Sequence, residues 1–118
     1  MIVVADTAPL NYLIQIDYDG LLPKLYGHIV VPASVMQELG HAAAPVAVHR
    51  WLAHVPVWID VRLAAAAPDA ELADLDLGER EAIQLAEEQH ADLLLMSAKD
   101  AGEQDSADLK QRERWAFY

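Results

Sequence analysis

The 118-residue chain contains no cysteine, which excludes disulfide bonds, thiolate metal ligands and cysteine nucleophiles. No apolar run reaches the roughly 18 residues that a membrane-spanning helix needs. The first six residues lack the basic start of a secretory signal and already include an acid at Asp6. We therefore expect a cytoplasmic protein with no membrane segment.

Basic residues are also scarce, because eight Lys and Arg stand against nineteen Asp and Glu, for a formal net charge of −11. Surfaces that bind phosphates are normally basic, so the bulk electrostatics of this chain oppose the binding of nucleic acid. A site that needs carboxylates, such as a cation site, is compatible with this charge. The simpler interpretation is that the acids keep the protein soluble.

Several common catalytic motifs are missing. The five histidines form neither an HExxH motif nor a pair four residues apart on a helix. Ser34, Ser97 and Ser106 lack the G-x-S-x-G context of a hydrolase nucleophile. Because neither G-x-G-x-x-G nor a Walker A loop occurs, nucleotide binding by these routes has no support.

Short apolar runs alternate with amphipathic segments along the first 96 residues. Continuous apolar runs are typical of strands buried on both faces, and their alternation with helices favours a mainly parallel sheet. We therefore predict an α/β fold, with helices on both faces of a parallel central sheet, in a domain spanning 1–96 that is followed by a tail at 97–118. The predicted strands are 2–5, 29–31, 57–61 and 92–96, and the predicted helices are 21–26, 33–39, 46–55, 77–90 and one that Thr7 caps.

Acidic residues accompany three of these strands. Asp6 ends the first strand, Glu38 lies on the helix after the second, and Glu79 and Glu81 lie on the helix before the last. Ligands of such sheets bind beyond the carboxyl ends of the strands, where converging oxygen ligands would suit Mg²⁺ or Mn²⁺. Each acid also has a simpler explanation: Asp6 as a helix cap, Glu38 as a solvated residue, and Glu79 as the partner of Asp76 in a capping box.

Four stretches of the sequence resemble, in the same order, the PIN-domain family. They are IVVADTAPLNYL at 2–13, LLPKLYGHIVVPASVMQEL at 21–39, LGEREAIQLA at 77–86 and ADLLLM at 91–96. The resemblance covers about residues 1–96. This family consists of metal-dependent ribonucleases and includes the VapC-like toxins of type II toxin–antitoxin pairs.

The resemblance implies a doubly wound α/β fold and a cluster of acids that holds one or two Mg²⁺ or Mn²⁺ ions. Asp6, Glu38 and Glu81 match the catalytic, metal-binding acids of the family. Thr7 matches a hydroxyl residue that supports the waters of the metal site, and Glu79 is a supporting acid that fits less well than Glu81. The resemblance further implies an RNA substrate and an antitoxin protein as partner.

The chain departs from the family's pattern after Met96. The family usually places one or two acids directly after this strand, followed by an Arg-rich helix, a further strand and a closing helix. Here Ser97 and Ala98 occupy the first positions, and Asp100 is the nearby acid that could serve as a further metal ligand. We expect an incomplete C-terminal part that a truncation or a change of reading frame has produced.

Three functions stay open on these grounds. The first is a metal-dependent endoribonuclease, the toxin of a toxin–antitoxin pair, whose activity is weak because an expected acid is missing. The second is a catalytically impaired PIN-like interaction module or remnant. The third is an acidic α/β binding domain whose acids are unrelated to one another.

An incomplete sheet also predicts a homodimer. A bare sheet edge and uncovered apolar surface favour association with a second chain. The apolar side of the predicted helix at 46–55 and the aromatic residues at the C-terminus could cover that surface across a two-fold axis. The candidate interface residues are Val48, Trp51, Leu52, Val55, Trp115, Phe117 and Tyr118.

Overall fold

The computed structural model describes residues 1–64 and 77–96. Its strands are β1 (Val3–Ala5), β2 (Ile29–Pro32), β3 (Ile59–Arg62) and β4 (Leu93–Leu95). They form one sheet in the order β3-β2-β1-β4, and every neighbouring pair is parallel. The predicted α/β architecture with a parallel sheet is therefore confirmed.

Helices connect the strands close to the predicted positions. They are α1 (Thr7–Gln15), α2 (Leu21–Tyr26), α3 (Ala33–Leu39), α4 (Val46–Ala53) and α5 (Leu77–Glu88). The helix α4 is two residues shorter than predicted, because Pro56 disfavours a helical conformation of the residue before it. His54 has already left the helix, with φ −139°.

The end of α5 also lies two residues before its predicted position. His90 adopts a left-handed conformation, with φ 52°, and the N–H of Ala91 donates to the carbonyl of Ala86 at 2.8 Å. This is the Schellman pattern, in which a left-handed residue closes a helix. Asp17, with φ 61°, ends α1 in the same way.

Hydrophobic side chains cover both faces of the sheet, as the sequence predicts. We name the two faces by the described helices that cover them. On the four-helix face, the buried residues are Val3, Ala5, Leu10, Ile14, Leu22, Ile29, Val31, Val35, Leu39 and Val48. On the α5 face, they are Val4, Val30, Ala82, Ile83, Leu85, Ala86, Ala91, Leu94 and Met96. Successive residues of β1 and β2 alternate between the two faces because side chains alternate along a strand.

Most of the apolar side of α4, a candidate interface in the sequence, packs within its own chain. Val48 is fully buried, and Trp51 and Leu52 pack against the core of the four-helix face. Val55 is 40% exposed. The interface prediction is therefore wrong for Val48, because this residue is buried within its own chain, whereas the homodimer itself stays a prediction.

The strand β3 lies at one edge of the described sheet. Ile59 and Asp60 are half-buried, whereas Val61 and Arg62 are exposed. The guanidinium of Arg62 forms a salt bridge of 2.9 Å with Asp60. Charged side chains on an edge strand discourage pairing with another chain, so this edge is less prone to association than an edge with apolar side chains alone.

Some predictions fall outside the described residues. These are the capping residue Asp76, the metal ligand Asp100, the positions Ser97 and Ala98, and the aromatic residues of the tail at 97–118. Within 1–64 and 77–96, none of the helices is both long and apolar enough to cross a bilayer.

Candidate functional site

Asp6 lies at the carboxyl end of β1, where the chain turns into α1. Its side chain is almost completely buried, with 1% exposure, and its backbone N–H donates to the carbonyl of Leu95 at 2.9 Å. Asp6 occupies the cap position of α1, yet its carboxylate makes no capping hydrogen bond. The simpler explanation of this acid as a helix cap therefore does not account for it.

Thr7 is the first residue of α1 and not its cap, so the predicted capping role is wrong. The chain enters the helix one residue earlier than expected, because Asp6 already has the extended backbone of a cap residue. The Thr7 hydroxyl is thus available for a contact across the fold. It donates a hydrogen bond of 2.5 Å to Oε2 of Glu38.

Glu38 lies near the end of α3 and receives a second donor from α5. The backbone N–H of Gly78 donates to Oε1 of Glu38 at 3.1 Å. The two carboxylate oxygens are therefore held by different helices, Oε2 through Thr7 and Oε1 through Gly78. Although the residue is exposed, its carboxylate is held in place and is not simply solvated.

Glu81 is held in a reciprocal manner. The hydroxyl of Ser34 on α3 donates to Oε2 of Glu81 on α5 at 2.8 Å. Ser34 and Glu38 are one helical turn apart on α3, and Gly78 and Glu81 are one turn apart on α5. Each helix therefore contributes one acid, and each holds the acid of the other helix.

These contacts bring Thr7, Glu38 and Glu81 to one region where α1, α3 and α5 meet, and Asp6 adjoins Thr7 in the chain. Glu79, beside Gly78, is buried with 9% exposure. In the described part of the chain, no group of three or more His, Asp or Glu residues is arranged so that it could hold a metal ion. Convergence of all three predicted acids on one ion stays a prediction.

The donor set nevertheless fits a hard divalent cation. The donors to Glu38 and Glu81 are hydroxyl and backbone N–H groups, which orient a carboxylate without cancelling its negative charge. Mg²⁺ is commonly bound through one or two carboxylates, while waters complete its coordination. Two acids held by uncharged donors meet that requirement in kind and number.

An open cleft of about 260 Å³ lies beside Glu38. Thr7 and Glu38 form one part of its lining, and Asn11, His41 and Pro45 contribute further walls. Nδ1 of His41 accepts a hydrogen bond from the N–H of Ala43 at 3.1 Å. The cleft therefore provides open space directly next to one of the two held acids.

Sequence reasoning missed two residues of this arrangement. In the sequence, Ser34 stands out only as a possible hydrolase nucleophile, and Gly78 only as a position within a capping box. The available signal was spacing, because Ser34 precedes Glu38 by four residues and Gly78 precedes Glu81 by three, which places each pair on one helix face. The pairing of α3 with α5 is a tertiary contact that this spacing does not reveal.

A parallel α/β domain with an acid at the end of its central strand, and further acids on adjoining helices, belongs to a class in which ligands bind beyond the carboxyl ends of the strands. A family model described as a PIN domain matches residues 2–106, and the chain therefore belongs to the PIN-domain family. No match was found among curated proteins or among solved structures.

Family membership indicates a nuclease-like function. The family match ends at residue 106 and thus continues past Met96 to include Asp100. The domain boundary at residue 96 stays a prediction, as does the metal-binding role of Asp100.

Proposed function

We propose that this chain is a divalent-metal-dependent endoribonuclease of the PIN type. The observation that carries the proposal is the paired arrangement of Glu38 and Glu81. Two acids from different helices are each oriented by uncharged donors from the other helix. Glu38 also accepts from Thr7, which follows the buried Asp6 in the chain. A packing contact between helices does not require such an exchange of polar groups, whereas a cation site does require oriented carboxylates.

Asp6, Glu38 and Glu81 are the residues that would hold Mg²⁺ or Mn²⁺. A bound divalent cation supplies charge neutralisation at the phosphodiester and a water of lowered pKa. Thr7 and Gly78 orient the Glu38 carboxylate, and Ser34 orients that of Glu81. Glu79 is proposed as a supporting acid, and Asp100 as an additional metal ligand.

RNA is the proposed substrate, although the net charge of −11 opposes its approach. A cation held by the acids would offset this repulsion where the phosphodiester lies. The open cleft of about 260 Å³ beside Glu38 is where we expect a nucleotide unit next to the reacting phosphate to lie. The chain's resemblance to VapC-like toxins supports a toxin of a toxin–antitoxin pair, with a cognate antitoxin protein as partner.

We further propose that the protein is cytoplasmic and functions as a homodimer. The expected interface includes an edge of the described four-stranded sheet, because unpaired strand groups favour association with a second chain. Light scattering over a range of micromolar concentrations measures the mass directly. A 13 kDa species that does not change with concentration would contradict the dimer.

Cleavage of labelled RNA in the presence of Mn²⁺ tests the enzymatic proposal. We expect weak cleavage by the unmodified chain, loss of cleavage in Asp6→Asn, and faster cleavage when Ser97→Asp and Ala98→Asp restore acids after β4. Chelation of the metal should abolish all cleavage. Gln15→Ala is the matched control, because the Gln15 amide donates an exposed hydrogen bond to the side chain of Asn11 on the same helix.

The second candidate is a catalytically impaired PIN-like interaction module. It is favoured by Ser97 and Ala98, which stand where the family usually has acids. This alternative predicts no cleavage by the unmodified chain at millimolar Mn²⁺, while the double substitution to Asp creates activity. Absence of cleavage in both proteins would contradict the nuclease proposal.

A further inference from the structure

Gly78 stands out because its Cα lies against the carboxylate of Glu38. A Cβ atom built on Gly78 would lie 2.5 Å from Oε1 and 2.9 Å from Cδ of Glu38. Real Cβ atoms do not approach other heavy atoms so closely. Any residue with a side chain at position 78 would therefore displace the Glu38 carboxylate from its observed place.

The local backbone does not explain a glycine at this position. Gly78 lies within the first turn of α5, where alanine forms helix more readily than glycine. Gly27, in contrast, has φ 80°, a conformation in which glycine is favoured over other residues. The reason for glycine at position 78 is therefore the space that its missing side chain leaves for Glu38.

The same residue also supplies a hydrogen bond. The N–H of Gly78 donates to Oε1 of Glu38 at 3.1 Å, while the Thr7 hydroxyl donates to Oε2. An N–H in the first turn of a helix has no partner within the helix, and the positive end of the helix dipole lies there. The start of α5 thus attracts the carboxylate and also leaves room for it.

We infer that Gly78 is a positioning residue for the Glu38 carboxylate. Its N–H and its missing side chain let the first turn of α5 hold this carboxylate in the orientation that the proposed metal site needs. The inference rests on the proposed function, since it assigns Glu38 a role in holding the cation. It adds a residue that touches neither metal nor substrate and acts through its contact with Glu38.

Displacing the carboxylate should affect cation binding without unfolding the protein. The Glu38 carboxylate is the far end of a flexible side chain, so it can move away from an added methyl group while the backbone stays in place. We expect Gly78→Ala to bind Mn²⁺ about 10- to 100-fold more weakly, the range typical for losing the support of a metal ligand. Its thermal unfolding midpoint should equal or exceed that of the unmodified chain, because alanine favours helix.

Gly20→Ala is the matched control. Gly20 also lies at the start of a helix, with φ −63°, and no atom lies within 4 Å of a Cβ built on it. Titration calorimetry with Mn²⁺ on the full chain should give the same affinity for Gly20→Ala as for the unmodified protein. If Gly78→Ala also binds Mn²⁺ with unchanged affinity, the inference is overturned.

A shortened acid provides a test by rescue. Glu38→Asp withdraws the carboxylate by one methylene group and makes room for a methyl group at position 78. We expect the combined loss of Mn²⁺ affinity in Gly78→Ala/Glu38→Asp to be smaller than the product of the two single losses. Independent, multiplying losses would contradict a contact between these two residues.

A metal-free measurement separates this inference from the proposed function. In ¹H–¹⁵N NMR spectra, the amide proton of Gly78 should move upfield in Glu38→Gln, because a neutral amide is a weaker acceptor than a carboxylate. An unchanged Gly78 signal would overturn the inference, whether or not the protein binds metal. If the signal moves but the unmodified chain binds no Mn²⁺, the contact between Gly78 and Glu38 is present and the proposed nuclease function fails.

Discussion

The two faces of the sheet are covered in different ways. On the four-helix face, side chains from α1 to α4 share the burial of the strands, and the buried cluster consists of apolar residues. On the α5 face, α5 is the described helix that supplies this cover, through Ala82, Ile83, Leu85 and Ala86. The first turn of the same helix carries Gly78, and Glu81 lies one turn further along.

This difference separates two uses of hydrophobic packing. On the four-helix face, several helices contribute to the same buried cluster, so the remaining helices still cover the strands when one contact is lost. On the α5 face, the apolar side of one helix determines where Gly78 and Glu81 lie relative to α3. The packing of α5 therefore sets the geometry of the candidate site as well as the stability of the fold.

Removing one leucine from each face should give the largest effects. Leu22 on α2 and Leu85 on α5 are both buried, so each change to alanine should cost about 2–5 kcal/mol of unfolding free energy, measured by urea titration. Only Leu85→Ala should also weaken Mn²⁺ binding under conditions where both proteins are folded, because α5 carries site residues. An equal loss of Mn²⁺ affinity in Leu22→Ala would break the comparison.

Ser34→Ala should have an intermediate effect. The variant removes a half-buried hydrogen bond to the Glu81 carboxylate, which should lower the unfolding free energy by about 1–2 kcal/mol and weaken Mn²⁺ binding by about tenfold. Gln15→Ala removes an exposed hydrogen bond to Asn11 on α1 and should cost less than about 0.5 kcal/mol. Mn²⁺ affinity that does not respond to Ser34→Ala would argue that Glu81 is no ligand.

The smallest effects concern the helix ends on the two faces. Asp17 after α1 and His90 after α5 both have positive φ, which strains a residue with a side chain. Each change to glycine should raise the unfolding free energy by about 0.5 kcal/mol, the relief of strain being partly offset by the greater freedom of glycine in the unfolded chain. His28 does not have a positive φ, so His28→Gly should lower the unfolding free energy instead. A lower thermal unfolding midpoint in His90→Gly than in the unmodified chain would contradict this explanation.

Much of the architecture could be predicted from local sequence. The continuous apolar runs at β1 and β2 predicted buried strands, and Gly27 and Gly40 correctly marked the ends of α2 and α3. Predictions of helix ends failed at α4 and α5, where the ending depends on the backbone conformations of His54 and His90. Neither conformation follows from a periodic pattern of apolar residues.

For the candidate site too, the sequence indicated some of the residues but not the contacts between them. The order of strands and acids along the chain pointed to Asp6, Glu38 and the pair Glu79 and Glu81, and the family resemblance favoured Glu81. Asp6 is indeed buried at the carboxyl end of β1. The sequence assigned Thr7 to a helix cap, since capping is a local interaction that any hydroxyl residue near a helix start can make. Its actual partner, Glu38, is 31 residues away.

The sequence by itself determined the parallel α/β class and the family, and it supplied the candidate acids, because these depend on the order and polarity of neighbouring residues. Only the tertiary structure decided that α3 and α5 hold each other's acids, and that Gly78 makes space for Glu38. These contacts join residues 40 and 47 positions apart. Their geometry is set by how the apolar sides of the helices pack on the sheet, which no local pattern in the sequence encodes.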